Sequence, residues 1–242
     1  MKALNEKKSE EIKIVLAGLD NAGKSSIILT LLREVSKITI IKATKGAQRR
    51  TYEFLGMKIS EWDLGGHQRY RQRYFKQEAL YFGGTHVAIF VIDIQDRTRI
   101  PKALDYLRKV ANSFTKLGIY PPIHVFFHKE DPEFSSKVKG ELTKLTNSLE
   151  SKIRQLKGFD FSFHHTTIFN IQSIVNAMSE ILLIKFPKSN QIKQLVQHFT
   201  TEIEAEGVEV LDNNTLILGA YYERKEIKQI LDSTLPYFLE VN

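Results

Sequence analysis

The sequence has no cysteine, and it contains no uninterrupted apolar run long enough to cross a bilayer. Disulfides, thiolate zinc sites and lipidation of a cysteine are therefore excluded for these 242 residues. A membrane-spanning helix would need about 20 consecutive apolar residues. The first eleven residues (MKALNEKKSEE) also lack the apolar core of a secretory signal, and lysine at position 2 does not permit N-myristoylation. We therefore expect a cytoplasmic protein that reaches a membrane only indirectly.

The composition is that of a globular protein and gives no sign of a nucleic-acid partner. Hydrophobic residues make up 42% of the chain and charged residues 26%, which excludes a disordered class. A chain of 242 residues is long enough for one ordinary domain and a smaller second unit. The net charge of +7 comes from basic residues scattered along the chain, and none of the aromatic-rich nucleic-acid modules is present. We interpret the charge as a solvated basic surface and expect no nucleic acid to bind.

The segment from Gly18 to Ser25 has the pattern G-x-x-x-x-G-K-S of a phosphate-binding loop. An apolar run of strand length, residues 12–17, precedes it, and an amphipathic stretch, residues 26–34, follows it. The glycines let the backbone turn and point its N–H groups at a polyphosphate, and the positive end of the following helix adds to the attraction. The alternative, an ordinary glycine-rich turn before a helix, is disfavoured because the flanking strand and helix are both in place.

This loop supplies most of the predicted contacts to a nucleotide. Lys24 is expected to reach the β- and γ-phosphates as a point charge, and the Ser25 hydroxyl is expected to bind Mg²⁺. The predicted phosphate contacts are Asp20, Asn21, Ala22, Gly23, Lys24, Ser25 and Ser26.

A second motif follows a predicted β-hairpin. Residues 49–55 and 57–63 read as two strands that turn at Gly56, and the second strand ends in Asp63-Leu64-Gly65-Gly66. An Asp at the carboxyl end of a strand beside a phosphate loop is suited to hold Mg²⁺, usually through water. The N–H of Gly66 is suitably placed to sense a γ-phosphate. D-x-x-G alone would be read as a turn, and its distance from the phosphate loop is what makes it informative.

Strands and helices alternate through residue 186, which predicts an α/β fold. Further strands are expected at residues 85–93, 122–128 and 159–165, and further helices at 97–117, 134–156 and 170–186. Residues 67–82 are expected to begin as a loop and to end as a helix. The pattern is typical of a doubly wound mixed sheet of about six strands and five helices, mostly parallel with one antiparallel edge. Every motif then falls at the carboxyl end of a strand, where such sheets bind ligands.

The pattern changes after residue 187, and we place a domain boundary between residues 1–187 and 188–242. The second unit reads as a helix (190–206), two strands (207–211 and 215–222) and a helix (223–238). A two-stranded hairpin is marginally stable in water and leaves its edges open. We therefore expect the nucleotide domain, a second copy or another protein to complete this unit.

With these motifs, the first 186 residues resemble the Ras-like small GTPases. The resemblance adds a third motif, H-K-x-D at residues 128–131, in the position of the guanine-specificity motif. It implies that Asp131 accepts hydrogen bonds from N1 and N2 of guanine and that Lys129 lies along the base. It also implies that a backbone N–H of the loop Thr166, Thr167 and Ile168 meets the guanine O6. The implied ligands are GTP and GDP with Mg²⁺, and Asp131 disfavours an ATPase.

The resemblance further implies a threonine that reaches Mg²⁺ only in the GTP state. Thr44 is the best match, because the spacing from Thr44 to Asp63 equals the spacing in Arf-type members. Thr39 is the fallback. The expected metal ligands are therefore Ser25, Thr44 and Asp63.

Two branches of the family share features with this chain. The stretches GLDNAGKSS and WDLGG are similar to Arf-type proteins, whereas H-K-x-D, the turn FLG and the stretch TTIFN are similar to the Rag branch. The C-terminal unit decides between them, because it resembles the first half of the roadblock domain that follows the GTPase domain in Rag proteins. The chain is thus identified as a Rag/Gtr-type small GTPase with Arf-like features and a partial roadblock-like domain. A homo- or heterodimer through the C-terminal piece is possible.

Three departures from the family bear on catalysis. His67 stands where most relatives have the Gln that orients the attacking water, and a histidine brings its own proton equilibrium near neutral pH. His128 replaces the Asn that usually braces the phosphate loop. No motif fixes an arginine near the γ-phosphate, and such an arginine raises turnover by about 10³- to 10⁵-fold in the family. We expect slow hydrolysis, with Lys24, Thr44 and His67 as catalytic residues.

The function that follows is a GTP-binding switch. The γ-phosphate would order the loops around Thr44 and residues 66–73, and regulatory and effector proteins would bind there. The alternative is a scaffold in which the nucleotide is a structural ligand with little turnover and the C-terminal piece makes the important contacts. His67 and the half roadblock both motivate that alternative.

Overall fold

A computed structural model describes residues 11–32, 44–55, 57–186, 188–212 and 216–240. Its main strands are β1 (Ile12–Gly18), β2 (Ala47–Phe54), β3 (Met57–Leu64), β4 (Val87–Asp93), β5 (Ile123–His128) and β6 (Phe161–Thr166). They form one sheet in the order β2-β3-β1-β4-β5-β6. β2 is antiparallel to β3, and the other neighbours are parallel. The predicted doubly wound mixed sheet with one antiparallel edge is therefore confirmed, although the turn residue Gly56 lies outside the described residues.

The helices of this part are α1 (Lys24–Leu31), α2 (Gln68–Lys76), α3 (Glu78–Tyr81), α4 (Ile100–Lys116), α5 (Pro132–Ile153) and α6 (Ile171–Lys185). The stretch Arg97–Arg99 before α4 is a single 3-10 turn, so the helix begins later than predicted. α5 begins two residues earlier than predicted, because Pro132 occupies its first turn, where a missing N–H costs nothing.

The predicted loop at the start of residues 67–82 is wrong, because α2 begins directly after His67. Tyr74 is fully buried, and its ring lies 4.7 Å from that of Tyr81 in α3. These two tyrosines fix the segment to the core. The start of this helix was not predicted because arginines alternate there with aromatic and polar residues, and this pattern obscures a helical period. The result is two short helices where one was expected.

The core lies on both faces of the sheet, as it must when parallel strands are covered by helices. On one face, Phe90 and Phe127 pack with Tyr106 and Phe114 of α4. On the other face, α1 and α6 cover side chains that include Phe126. Phe126 and Phe127 point in opposite directions because successive residues of a strand face opposite sides. This double burial makes the sheet a rigid platform for the loops at its carboxyl edge.

The C-terminal unit consists of α7 (Ser189–Glu202), β7 (Gly207–Leu211), β8 (Ile217–Tyr222) and α8 (Lys225–Glu240). The order of helix, two strands and helix agrees with the sequence interpretation. β7 and β8 pair antiparallel as a separate two-stranded sheet within the described residues. α7 ends four residues before the predicted end, and the backbone of Glu204 adopts a positive φ of 53° in the turn that follows. The domain boundary after residue 187 stays a prediction.

This hairpin packs between α7 and α6. On one side, Leu216 joins the apolar cluster beneath α1 and α6, and Ile217 packs on Val175 of α6. The N–H of Ile217 donates a buried hydrogen bond of 2.8 Å to the Ser179 hydroxyl of α6. On the other side, α7 lies so close that a β-carbon on Gly219 would come within 2.7 Å of Ile192. Of the three ways to complete the hairpin, contact with the nucleotide domain is thus present within this chain.

Within the described ranges, none of the helices has both the length and the apolar character that a membrane crossing requires.

Candidate nucleotide-binding site

The phosphate loop connects the end of β1 to the start of α1, and one glycine within it and one glycine after β3 allow other loops to lie close to it. Gly23 has a φ of +95°, which other residues rarely adopt. A β-carbon on Gly23 would lie 2.3 Å from the His128 ring, and a β-carbon on Gly66 would lie 2.1 Å from the backbone nitrogen of Asp20. The glycines therefore allow two other loops to approach the phosphate loop closely.

A cavity of about 220 Å³ lies over this loop. It brings together the predicted phosphate contacts and the residues of the two predicted switch loops. Its lining consists of Asp20, Asn21, Ala22, Gly23, Lys24, Ser25, Ser26, Thr44, Gly66 and His67. Residues that are up to 47 positions apart in the sequence thus share one surface, which is a suitable arrangement for a polyphosphate.

Lys24 lies at the centre of the loop and is only 5% exposed. Its ammonium group donates hydrogen bonds to the backbone oxygens of Leu19 (2.9 Å) and Gly18 (3.2 Å). Burial lowers the pKa of Lys24, and the nearby carboxylates of Asp63 and Asp20 oppose that shift. The ammonium group is thus buried and hydrogen-bonded to uncharged carbonyl oxygens. It is well placed to bind a phosphate oxygen, which would supply a full negative charge.

The three predicted metal ligands form one hydrogen-bonded group. The Ser25 hydroxyl lies 2.8 Å from Oδ2 of Asp63 and 2.9 Å from the Thr44 hydroxyl, which lies 3.3 Å from the same carboxylate oxygen. Asp63 is fully buried, and its Oδ1 has no hydrogen-bond partner among the described residues. Two hydroxyls and a carboxylate with a spare buried oxygen are a donor set that fits Mg²⁺. The fallback Thr39 lies outside the described residues.

His67 lies at the mouth of the cavity. It is exposed, it directly precedes α2 with an extended backbone (φ −65°, ψ 142°), and its ring meets that of Tyr70 edge-on at 6.2 Å. Its position next to Gly66 puts an imidazole at the phosphate end of the site. The Arg71 guanidinium donates a 2.9 Å hydrogen bond to the backbone oxygen of Gly66 and so helps to fix this turn.

His128 braces the phosphate loop by packing. The ring is 1% exposed, lies against Gly23, and joins the Thr166 hydroxyl through Nδ1 at 2.9 Å. Burial lowers the pKa of His128 to about 4, so the ring is neutral at pH 7. The ring therefore adds no charge beneath the phosphate loop.

The remaining residues of the predicted guanine site meet at the carboxyl ends of β5 and β6. Oδ1 of Asp131 accepts a 2.5 Å hydrogen bond from the Thr167 hydroxyl. Lys129 has a positive φ of 66°, and its ammonium group pairs with Asp93 at 2.7 Å. Ile168 follows in the same loop and packs on the cluster beneath α1 and α6. These residues form their own group beside the phosphate cavity and are joined to it through His128.

Sequence reasoning missed the segment that follows β4. Arg99 donates hydrogen bonds to the carboxylate of Asp20 at 2.7 Å and to its backbone oxygen at 3.1 Å. Partial burial raises the pKa of Asp20, but Arg99 and a backbone hydrogen bond outweigh this and hold it below its usual value. An arginine is thus fixed on the phosphate loop itself. The sequence offered only a general indication that this segment belongs to the site, because the segment follows the carboxyl end of a strand, where ligands bind.

Comparisons with known proteins agree with this picture. The family described as "Gtr1/RagA G protein conserved region" matches residues 13–235. ADP-ribosylation factor-like protein alp41 of Schizosaccharomyces pombe is 30% identical over 175 residues, which cover 72% of this chain and 88% of the relative. ADP-ribosylation factor-like protein 3 of Chlamydomonas reinhardtii is 33% identical over 126 residues, which cover 52% and 67% respectively.

A solved structure gives a weaker likeness. The Arl6 (BBS3) small GTPase from Trypanosoma brucei, solved with the nucleotide analogue GppNp, has a TM-score of 0.49 at 21% identity. The alignment covers 72% of this chain and 96% of that protein. The family match continues past residue 187 to residue 235 and so includes most of the C-terminal unit.

Proposed function

Since this chain belongs to the Gtr1/RagA G-protein family and is a small GTPase with Rag and Arf features, we propose that it is a guanine-nucleotide-dependent switch with two switch loops. It binds guanine nucleotide and hydrolyses GTP, as members of this family do. The observation that carries the proposal is the meeting of Thr44 with Ser25 and Asp63, because it connects a distant loop to the phosphate loop.

In this proposal the phosphates lie on the loop from Asp20 to Ser26. Ser25, Thr44 and Asp63 would hold Mg²⁺, which would neutralise negative charge on the phosphates. The base would meet Asp131 and Lys129. The close approach of Gly66 to Asp20 supports a γ-phosphate contact for the Gly66 N–H.

GTP hydrolysis requires mainly that the reacting groups are positioned and that the developing negative charge is stabilised. Lys24 would stabilise the charge that develops on the leaving phosphate oxygens, because it is already held, desolvated, at the centre of the loop. His67 would place the attacking water from the mouth of the cavity. Arg99 is engaged with Asp20. We therefore expect slow intrinsic hydrolysis that an arginine from an activating protein accelerates.

The switch would act through contacts that depend on the γ-phosphate. The Gly65 N–H donates to the backbone oxygen of Gly46 at 3.0 Å, so the Thr44 loop and the start of the second loop support each other. Loss of the phosphate would weaken the contacts of Thr44 and Gly66 together. Partners that bind Thr44 and residues 66–73 would then distinguish the GTP form from the GDP form.

The test of nucleotide binding is the affinity of Lys24→Ala for GTP and GDP, measured with a fluorescent GDP by competition. We expect a loss of roughly 100-fold, because a buried charge-assisted contact to phosphate disappears. Lys102→Ala, which removes an exposed lysine of α4, is the matched control and should bind as the wild type does. Unchanged GTP affinity in Lys24→Ala would contradict the proposed site.

A second candidate function is a nucleotide-stabilised scaffold with little turnover. It is favoured by an apolar face formed by Leu195 and Phe199 of α7 and by Ile203 directly after it, each of which is at least 50% exposed. We propose that residues 188–242 are a partial roadblock-like domain and that this face contributes to a homo- or heterodimer. A single-turnover assay in which GTP stays intact for many hours, even with candidate activators, would favour the scaffold over the switch.

A further inference from the structure

The two carboxylate oxygens of Asp131 are held by two different loops. Oδ1 accepts a hydrogen bond from the Thr167 hydroxyl at 2.5 Å, and Oδ2 accepts one from Nε2 of Gln95 at 2.7 Å. Thr167 belongs to the loop after β6, whereas Gln95 belongs to the segment after β4. Gln95 is part of none of the three sequence motifs, so its contact with the guanine-motif carboxylate calls for a physical explanation.

Gln95 is itself firmly anchored although its side chain is exposed. The same Nε2 also donates to the backbone oxygen of Lys129 at 2.7 Å. The Gln95 N–H donates to Oδ1 of Asp93 at 3.0 Å, and Oδ2 of Asp93 pairs with the Lys129 ammonium group at 2.7 Å. The segment after β4 is thus attached to the guanine motif at several points. Such a network fixes a glutamine that would otherwise rotate freely in solvent.

The consequence for Asp131 follows from the chemistry of a carboxylate. The torsion that turns its plane is soft, with a broad and roughly two-fold profile. One donor on each oxygen fixes that plane. A carboxylate has about four acceptor positions, so each oxygen keeps about one position free after these two bonds. Two free acceptor positions on adjacent oxygens match the two adjacent N–H groups of guanine, at N1 and N2.

We propose that Gln95 is a specificity-determining positioning residue for guanine, which fixes the plane of the Asp131 carboxylate so that both oxygens face the base. The inference rests on the proposed function, in which Asp131 reads the guanine edge. It adds a residue outside the recognised motifs and a specific role for it. Hypoxanthine, which keeps the N1–H but lacks the N2 amino group, is the base that separates two-point from one-point recognition.

The experiment compares the affinities for GDP and IDP in the wild type and in Gln95→Met, which keeps the length of the side chain but removes its donor. The wild type should prefer GDP. In Gln95→Met the ratio of GDP to IDP affinity should fall by roughly three- to tenfold, the range expected for the net contribution of one ordinary hydrogen bond, because Gln95 acts on the base only through Asp131. The loss should fall mainly on GDP, because IDP makes only one of the two contacts.

Two further variants keep the test independent of any one substitution. Thr167→Val removes the donor on the other oxygen and should lower the same ratio. Arg97→Ala is the matched control, because Arg97 lies in the same segment but pairs with the exposed Glu141. It should leave the ratio unchanged.

The outcomes separate this inference from the proposed function. An unchanged ratio in Gln95→Met, an equal loss for both nucleotides, or tighter GDP binding would each overturn the role of Gln95. In the last case the glutamine would compete with guanine for Asp131. If the wild type itself does not distinguish GDP from IDP, Asp131 does not read the N2 group, and the proposed base site fails together with this inference.

Discussion

The central sheet and the C-terminal hairpin are both β-structure, but they obtain their stability in different ways. Every residue of β5 is buried, whereas no residue of β7 is fully buried. The sheet has helices on both faces, and its strands and these helices supply most of its core. The hairpin takes part of its core from α6 through Leu216 and Ile217. We infer that the loops of the nucleotide site stand on a platform that is buried on both faces, and that the C-terminal hairpin takes part of its support from that platform.

This difference explains where precise geometry is found. The phosphate loop, the Asp63 turn and the guanine motif all follow buried strands, so each loop starts from a fixed point. The described part of the C-terminal unit offers exposed apolar side chains such as Leu195 and Phe199. Exposed apolar side chains on a helix are suited to contact with a partner. Substitutions in each region test this division of roles.

Truncation of a core residue should separate the two regions most strongly. Phe126→Ala removes a fully buried ring from β5 and should lower the free energy of unfolding by about 3–5 kcal/mol. Val210→Ala in β7 is the counterpart, and because Val210 is 38% exposed it should cost about 1 kcal/mol or less. Denaturant unfolding of both variants with GDP present measures the difference. Equal losses would contradict the view that the sheet carries the stability.

Acid should destabilise the sheet through a pair of histidines, the buried His124 of β5 and the partly buried His164 of β6. Nδ1 of His124 lies 3.0 Å from Nε2 of His164, and burial lowers the pKa of each ring to about 4. An unfolded histidine has a pKa near 6.5, so the unfolded state binds more protons between pH 6.5 and 4. This contribution to stability is therefore complete above pH 6.5 and is lost as the pH falls. His124 alone should account for about 2 kcal/mol between pH 7 and pH 5.

The check is the pH dependence of unfolding in the wild type and in His124→Gln, because the variant should lose stability less steeply between pH 7 and pH 5. Burial raises the pKa of Glu61 to about 7, which gives a slope of opposite sign in this range, so the comparison between the two proteins is the informative quantity. His198→Gln, at an exposed position of α7, is the control. A slope in His124→Gln equal to that of the wild type would be evidence against neutral buried rings.

A smaller effect is expected where the hairpin meets α6. Ser179→Ala leaves the buried N–H of Ile217 without its hydrogen bond and should cost about 1–2 kcal/mol. The change should appear as faster hydrogen exchange in β8, with GDP affinity unchanged. Ser233→Ala removes an exposed hydroxyl that donates to the backbone oxygen of Ile230 in its own helix turn, and it serves as control. Unchanged exchange in β8 would mean that this contact does not hold the hairpin.

The smallest effect should come from the exposed face of α7. Leu195 is 67% exposed, so Leu195→Gln should change the stability of a single chain by no more than about 0.5 kcal/mol. Light scattering of the wild type and the variant shows whether that face joins two copies. A large loss of stability together with a drop in molar mass would show that this face is covered by a second copy in solution. The hairpin would then be supported by that copy as well as by α6.

Much of this organisation could be predicted from the sequence, because local signals agreed with one another. The continuous apolar runs of β4 and β5 indicated buried parallel strands, and the phosphate loop fixed the position of β1 and α1. The start of α2 was not predicted because it depends on the burial of Tyr74 in the core. Tertiary packing overrides a weak local period in such segments.

The contacts of Gln95 and Arg99 could not be predicted for a different reason. Gln95 meets Asp131 across 36 residues and Arg99 meets Asp20 across 79 residues. No periodicity or motif encodes such a pairing. It arises only when parallel strands bring their carboxyl ends to one edge of the sheet. The sequence predicted contact with the nucleotide domain as one of three ways to complete the hairpin, but the part that α6 plays in it could be seen only from the fold.

The most direct test of the central claim is hydrogen exchange measured with GDP and with a non-hydrolysable GTP analogue. We predict slower exchange with the analogue at residues 44–46 and 65–73, because the γ-phosphate would hold both loops. Exchange in β7 and β8 should stay the same. Identical exchange in both loops with the two nucleotides would contradict the switch and leave the nucleotide as a structural ligand.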